Sequence, residues 1–139
     1  MRRLAVIDPA GGHQPFMDST SGVILIYNGE LYNFISLRKS LQDKGHSFTS
    51  NSDTEVVLRA YLEWGTACVE QLNGMFALAI YDPRSQQLHL ARDHFGQKPL
   101  YIYHHNQTLV FASTLRTVLH YPEVNFELNY NAVFDYLRY

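Results

Sequence analysis

The sequence predicts an α+β fold in which helices and antiparallel strands occupy different stretches of one domain, residues 1–139. Two amphipathic helix patterns lie in tandem, Phe34, Leu37 and Leu41 in the first and Val57, Ala60, Tyr61 and Trp64 in the second. From Met75 onward the pattern changes to short apolar runs separated by turn residues, as in an antiparallel meander. Size supplies the third observation: 139 residues, 46% of them hydrophobic, are enough for one core and too few for two independent ones.

The first strand is Leu4 to Ile7, ended by the Pro9-Ala10-Gly11-Gly12 loop. A core-like strand so close to residue one implies that upstream sequence is absent. Val23 to Tyr27, a continuous run of β-branched, aliphatic and aromatic residues, reads as a buried strand ended by Asn28-Gly29. In the first helix Arg38, Lys39 and Asp43 lie opposite the apolar face, and Gly45 sits where a left-handed C-cap belongs. Ser52-Asp53-Thr54-Glu55 matches a capping box, Ser52 at N-cap and Glu55 three residues on, and Gly65 closes the second helix. The later strands are Met75 to Tyr81, Gln87 to Ala91, Leu100 to Tyr103 and Thr108 to Ala112. Turns are expected at Asp82 to Ser85, Asp93 to Gly96 and His104 to Gln107. Asn129 caps a last helix carrying Ala132, Val133, Tyr136 and Leu137.

Composition excludes several classes of function. The net charge is -2, so there is no electrostatic footprint for nucleic acid or for anionic lipid. No apolar run approaches the roughly 20 residues that span a bilayer. The first residues lack the apolar stretch of a signal peptide, which points to the cytoplasm. There is no Cys-x-x-Cys, no His-Glu-x-x-His, no Gly-rich phosphate loop and no Gly-x-Ser-x-Gly elbow. The seven histidines are scattered, and the adjacent pair His104-His105 reads as solvated, so no metal is assigned.

Asn28-Gly29, taken alone, is foremost a hairpin turn. The next residues are Glu30-Leu31-Tyr32-Asn33 and then a helix, so the dipeptide is expected at a strand-to-helix junction. There a glycine N–H and an Asn amide can form the donor pair that stabilises an oxyanion. Acids in the first turn of a helix are explained by the macrodipole alone, so Asp53 and Glu55 need no ligand. Cys68, with Val69 and Leu72 beside it, reads as a buried, inert thiol, and Arg3 as a solvated charge.

In order along the chain, Arg3 to Asp8, Gly12-His13-Gln14-Pro15, Asn28-Gly29-Glu30-Leu31-Tyr32-Asn33, Ser52 to Glu55, Leu72-Asn73-Gly74-Met75-Phe76-Ala77, Ala91-Arg92-Asp93 and Lys98-Pro99-Leu100-Tyr101 together resemble the glutaminase domain of glutamine-hydrolysing asparagine synthetases, a class II glutamine amidotransferase domain. The Asn-Gly-Glu-Leu-Tyr-Asn form favours this family over other class II amidotransferases. The resemblance implies an N-terminal-nucleophile-hydrolase-like αββα sandwich of antiparallel sheets, lacking its first strands. It implies that Arg3 holds the carboxylate of glutamine, that Glu30 and Asp53 hold its α-amino group, and that Asn28 Nδ2 and the Gly29 N–H hold the amide oxyanion. A bidentate guanidinium suits a carboxylate, and carboxylates suit an ammonium.

The departures from the family are equally specific. Its nucleophile is an N-terminal cysteine upstream of the Arg-Leu segment, with its own α-amine as base. Here the first residue is Met, and Arg2 is too large for methionine removal. Cys68 matches an internal Cys-Val-Glu of the family and cannot substitute. Ser113-Thr114 stands where the family usually has Ser-Glu. The Ser-Gly-Gly-x-Asp-Ser loop that binds pyrophosphate is absent, so ATP and Mg belong to a synthetase domain outside this chain and no cofactor is expected within it. The expectation is a partial glutaminase domain, truncated at both ends, whose intact relatives supply ammonia for ATP-dependent conversion of aspartate to asparagine. The chain alone is expected to be inactive, with glutamine as ligand and a separate or downstream synthetase domain as partner. The alternatives are a non-catalytic glutamine- or protein-binding module and a functionless gene fragment.

Overall fold

A computed structural model of the chain describes residues 7–8, 11–124 and 127–138. Arg3 and residues 4–6 of the expected first strand lie outside these, and Ile7 sits in a bend. The structure divides into two compact units, residues 1–99 and 100–139.

The first unit is built on a four-stranded antiparallel sheet in the order β1 (Phe16–Met17), β2 (Ile24–Leu31), β3 (Gly74–Asp82), β4 (Gln87–Arg92). Two helices, α1 (Phe34–Asp43) and α2 (Asp53–Trp64), come after β2, and a 3₁₀ helix, Gly65–Gln71, leads into β3. Alternate residues of a strand face opposite sides of a sheet. Leu25, Tyr27 and Leu31 of β2 and Phe76, Leu78 and Ile80 of β3 therefore share one face, where they form a single core with Leu37, Leu41, Val57, Ala60, Tyr61 and Cys68. Each large apolar side chain among them contributes roughly 1.5–3 kcal/mol when fully buried.

Strand β2 does not end at Asn28-Gly29 as expected. It runs to Leu31, with Asn28 opposite Ala77 and Gly29 opposite Phe76. Turn chemistry is overridden here by a close crossing of two backbones that only glycine permits. A Cβ at Gly29 would collide with the Met75 carbonyl oxygen, and one at Gly74 would collide with that of Glu30. The strand is terminated instead by an Asn33 clasp. Asn33 Nδ2 donates to the Gln71 carbonyl at 2.9 Å, the Asn73 N–H donates to Asn33 Oδ1 at 3.1 Å, and the Tyr32 N–H donates to the Asn73 carbonyl at 2.8 Å.

The helix stop and start expected between α1 and α2 are both present. Gly45 takes φ +95°, with its N–H on the Gln42 carbonyl and the His46 N–H on that of Leu41, a Schellman stop. Ser52 Oγ caps α2 by accepting from the Glu55 N–H at 3.3 Å. The reciprocal half of the capping box is not made. Ser52 N–H donates to Ser50 Oγ, and the Glu55 carboxylate turns to the 49–50 loop, which offers it more donors.

The second unit holds a hairpin of β5 (Tyr101–His105) and β6 (Thr108–Ala112), then α3 (Leu115–Leu119) and α4 (Tyr130–Arg138). His104 and His105 are strand residues rather than a turn. The turn is Asn106-Gln107, because Asn106 tolerates the left-handed conformation and adopts φ +51°. Helix α3 is too short to leave a periodic pattern in the sequence. Its N-cap is Thr114, whose Oγ1 accepts from the Thr117 N–H at 3.3 Å. Asn129 caps α4 as expected, its Oδ1 accepting from the N–H groups of Asn131 and Ala132.

The strands after Met75 do not form one running meander: β4 pairs with β3, and β5 pairs with β6 in a separate sheet. Asp93 explains the break, since its carboxylate accepts from the N–H groups of Phe76, Phe95, Gln97 and Lys98 at 2.9–3.2 Å and folds the chain back at the end of β4. Burial alone would raise the pKa of Asp93, but these backbone donors outweigh it and hold the carboxyl below its usual range.

Candidate functional site

The corner between the end of β2 and the start of α2 gathers the residues singled out from the sequence. Asn28 and Glu30, both half-buried, lie on the sheet face opposite Tyr27 and Leu31. Asp53, 4% exposed, opens α2 and bonds back to that strand: its Oδ2 accepts from the Leu31 N–H at 3.1 Å and from the Tyr27 hydroxyl at 3.2 Å. The Asp53 carboxylate thus touches the peptide that joins Glu30 to Leu31. Of the five expected site residues, Asn28, Gly29 and Glu30 are consecutive on β2, Asp53 bonds to that strand from α2 through Tyr27 and Leu31, and Arg3 lies outside the described residues.

Backbone polar groups alternate between the two edges of a strand. Tyr27 turns its N–H and carbonyl toward the β1 side, and Leu31 turns its N–H to Asp53 on the same side. Gly29 lies midway, so its N–H is directed to that edge, roughly 7 Å along the strand from that of Leu31. β1 pairs only with Ile24 and Leu25, and its two residues do not extend as far as Gly29.

The residue on that edge which sequence reasoning misses is Gln14. Its amide completes the ladder where β1 stops: Nε2 donates to the Tyr27 carbonyl at 2.7 Å, and Oε1 accepts from the Tyr27 N–H at 2.8 Å. Nε2 also reaches Thr54 Oγ1 at 3.5 Å. A glutamine in a Gly- and Pro-containing loop carries no local signal of such a partner.

A second carboxylate fixes the approach to α2. Asp8 accepts from the Gly11 and Asn51 N–H groups, both at 2.9 Å, and these backbone donors lower its pKa. Glu55, fully buried, accepts from the Thr49 and Ser50 N–H groups and from both hydroxyls, with Arg59 NH2 at 3.5 Å. These contacts belong to the scaffold and explain why the first turn of α2 is rigidly placed.

Cys68 is 1% exposed in the core on the helix side of the sheet, and burial pushes its thiol up to about 11. It is structural, as its sequence neighbours suggested. An apolar cleft of about 330 Å³, lined by Tyr61, Cys68, Val69, Leu78 and Ile80, contains none of the corner residues. Among the described residues there is no cluster of three or more His, Cys, Asp or Glu placed to hold a metal ion, and no helix long and apolar enough to cross a membrane.

Comparison with known proteins identifies the family. The family description "Glutamine amidotransferase domain" matches residues 1–139. Asparagine synthetase (glutamine-hydrolysing) 3 of Bacillus subtilis is 43% identical over 125 residues, covering 88% of this chain and 20% of its own length. Asparagine synthetase (glutamine-hydrolysing) 1 of the same organism is 37% identical over 138 residues, covering 99% and 22%. This chain therefore spans about a fifth of the length of these relatives. Among solved structures, the glutamine phosphoribosylpyrophosphate amidotransferase of B. subtilis, complexed with ADP and GMP, superposes with a TM-score of 0.59 at 27% identity over 72% of this chain and 24% of that one. The fold is α+β, of the N-terminal-nucleophile-hydrolase type that the family resemblance implied.

Proposed function

Because the chain belongs to the family of glutamine amidotransferase domains, we propose that the β2–α2 corner is a glutamine pocket of the kind used by glutamine-hydrolysing asparagine synthetases. Asn28 Nδ2 and the Gly29 N–H receive the side-chain amide oxygen, Asp53 and Glu30 receive the α-ammonium, and Arg3 receives the α-carboxylate. The observation that carries this reading is the Asp53 carboxylate bonded to the N–H of Leu31, two residues from the outward N–H of Gly29. One ligand can reach both with the spacing of a short amino acid.

In glutamine hydrolysis of this type a thiolate attacks the amide carbon, the oxygen takes up negative charge, and the C–N bond then breaks as ammonia leaves. Donors already fixed at the oxygen position lower that barrier without reorganising. Cys68 is not that thiolate, because at neutral pH a buried thiol titrating near 11 stays protonated. Residues 1–139 therefore bind and polarise glutamine, and the nucleophile comes from another segment, as does the part that passes ammonia to an activated aspartate. We place this work in the cytoplasm, where an unpaired, buried cysteine is the ordinary state.

Calorimetry on the 139-residue chain tests the pocket. Glutamine is expected to bind the wild type, and Asp53→Asn is expected to weaken it by about 2–5 kcal/mol, the cost of leaving a buried partner charge unpaired. No ammonia release is expected from wild type or from Cys68→Ala. Equal affinity of wild type and Asp53→Asn would remove the pocket assignment, and ammonia release that depends on Cys68 would remove the assignment of the thiol.

A further inference from the structure

We propose that Gln14 is a positioning residue for the glutamine pocket, holding the oxyanion donors on β2 and the ammonium-binding carboxylate on α2 in one register. This role rests on the glutamine-pocket reading and adds a residue that touches neither end of the ligand.

One carboxamide is attached to both halves of the site. Its two bonds to Tyr27 fix the N–H and carbonyl of the residue immediately before Asn28. Its third contact, to Thr54 Oγ1, fixes the residue immediately after Asp53. Thr54 is fully buried, so this hydroxyl sits on the rigid side of the junction. β1 pairs only with Ile24 and Leu25 and ends two residues short of Tyr27. Without the Gln14 amide the edge of β2 at Tyr27 loses its ladder bonds, and the Gly29 N–H two residues on is no longer held at a set angle to Asp53.

Glutamine is suited to this task because its amide offers one donor and one acceptor side by side, the same pair that a neighbouring strand would offer. A carboxylate keeps the acceptor and lacks the donor, so it faces the Tyr27 carbonyl with a second negative oxygen. A protonated carboxylic acid restores both, since its O–H donates to the Tyr27 carbonyl and its C=O accepts from the Tyr27 N–H. Gln14→Glu is therefore a pH-gated version of the wild type. Its carboxyl, placed against a backbone carbonyl, should titrate above the ordinary glutamate value of about 4.3.

The test measures glutamine affinity by calorimetry at pH 7 and pH 5 for the wild-type chain, Gln14→Ala and Gln14→Glu. Gln14→Ala is expected to bind about tenfold more weakly than wild type at both values, from the loss of two half-buried hydrogen bonds. Gln14→Glu is expected to match that loss at pH 7 and to recover most of it, relative to wild type, at pH 5. A purely structural role for Gln14 would not produce that recovery while the thermal midpoints of wild type and Gln14→Glu stay together. If wild type binds and Gln14→Glu shows the same ratio to it at both pH values, the positioning role is overturned and the pocket stands. If the wild-type chain gives no binding heat, the pocket reading fails and the positioning role fails with it. Should Gln14→Ala not fold, the pH ratio of Gln14→Glu decides alone.

Discussion

Glu55→Ala is expected to lower the unfolding free energy by about 3–5 kcal/mol, a large share of the total for a small domain. The carboxylate is fully buried and accepts from two backbone N–H groups and two hydroxyls of Thr49 and Ser50. Truncation removes the acceptor that these four donors share and empties a fully buried position at the first turn of α2. It also takes one acceptor from Arg59, whose other carboxylate partner is Asp18 at 2.7 Å. Glu55→Gln, which keeps the shape and one acceptor, should lose less. Urea denaturation at pH 7 checks both, and a loss below about 1 kcal/mol for Glu55→Ala would contradict the argument.

The same network sets the acid response. Burial alone would raise the Glu55 pKa, but donation from Ser50 and Thr49 outweighs it, so the folded value lies below the ordinary one. For Asp18, buried beside Ser21 and Arg59, the balance runs the same way. A carboxyl depressed in the folded state contributes stability that is fully present above its unfolded pKa, near 4, and is lost as the pH falls through the folded value. Stability is therefore expected to be flat near neutrality and to fall below about pH 4. The fall should be shallower in Glu55→Gln, which has one fewer such group.

Gly29→Ala is the second large effect. The added methyl would overlap the Met75 carbonyl oxygen and stand 2.7 Å from Phe76 Cα, and both obstacles are backbone. No rotamer change relieves the contact, so β2 and β3 must separate where they cross. A cost of about 1–3 kcal/mol is expected from overpacking alone. Because the strand that moves carries the Gly29 N–H, glutamine affinity should fall by more than the stability loss explains. An unchanged thermal midpoint together with unchanged binding would show that the two backbones have room to part.

Helices α1 and α2 are legible in the sequence because their signals are local. Leu37 and Leu41 at helical spacing, Gly45 after the last turn and Ser52 ahead of Glu55 each specify a feature within a few residues, and each is found in place. The end of β2 is not legible in the same way. Asn28-Gly29 carries a strong turn signature, yet Phe76 and Ala77, more than forty residues away in the chain, pair with it and keep the strand extended. Asn33 and Asn73, which do end the strand, form a clasp visible only once β2 and β3 are paired. The candidate site divides along the same line. Asn28, Gly29, Glu30 and Asp53 receive roles from the family resemblance, whereas the bonds of Gln14 to Tyr27 and Thr54 and of Asp8 to Asn51 span distant parts of the chain and leave no periodic or capping trace. His104-His105 fall in the strand rather than the turn because the turn depends on which residue accepts a positive φ, and Asn106 does so more readily than histidine.

The position of the single cysteine gives the molecule a built-in clock. Cys68 lies in the core shared by both helices and the sheet, with its thiol protonated and screened from water. Cys68 is 1% exposed at the wall of the apolar cleft, so an aromatic disulfide reagent added to the native protein reaches its sulfur when the packing around it loosens. Under conditions where reclosing outpaces labelling, the modification rate divided by that of an unfolded thiol is the fraction of time the packing around Cys68 stands open. Glu55→Ala, Glu55→Gln and Gly29→Ala can then be ranked on one scale without introducing a probe, from the colour released by the residue the protein already carries.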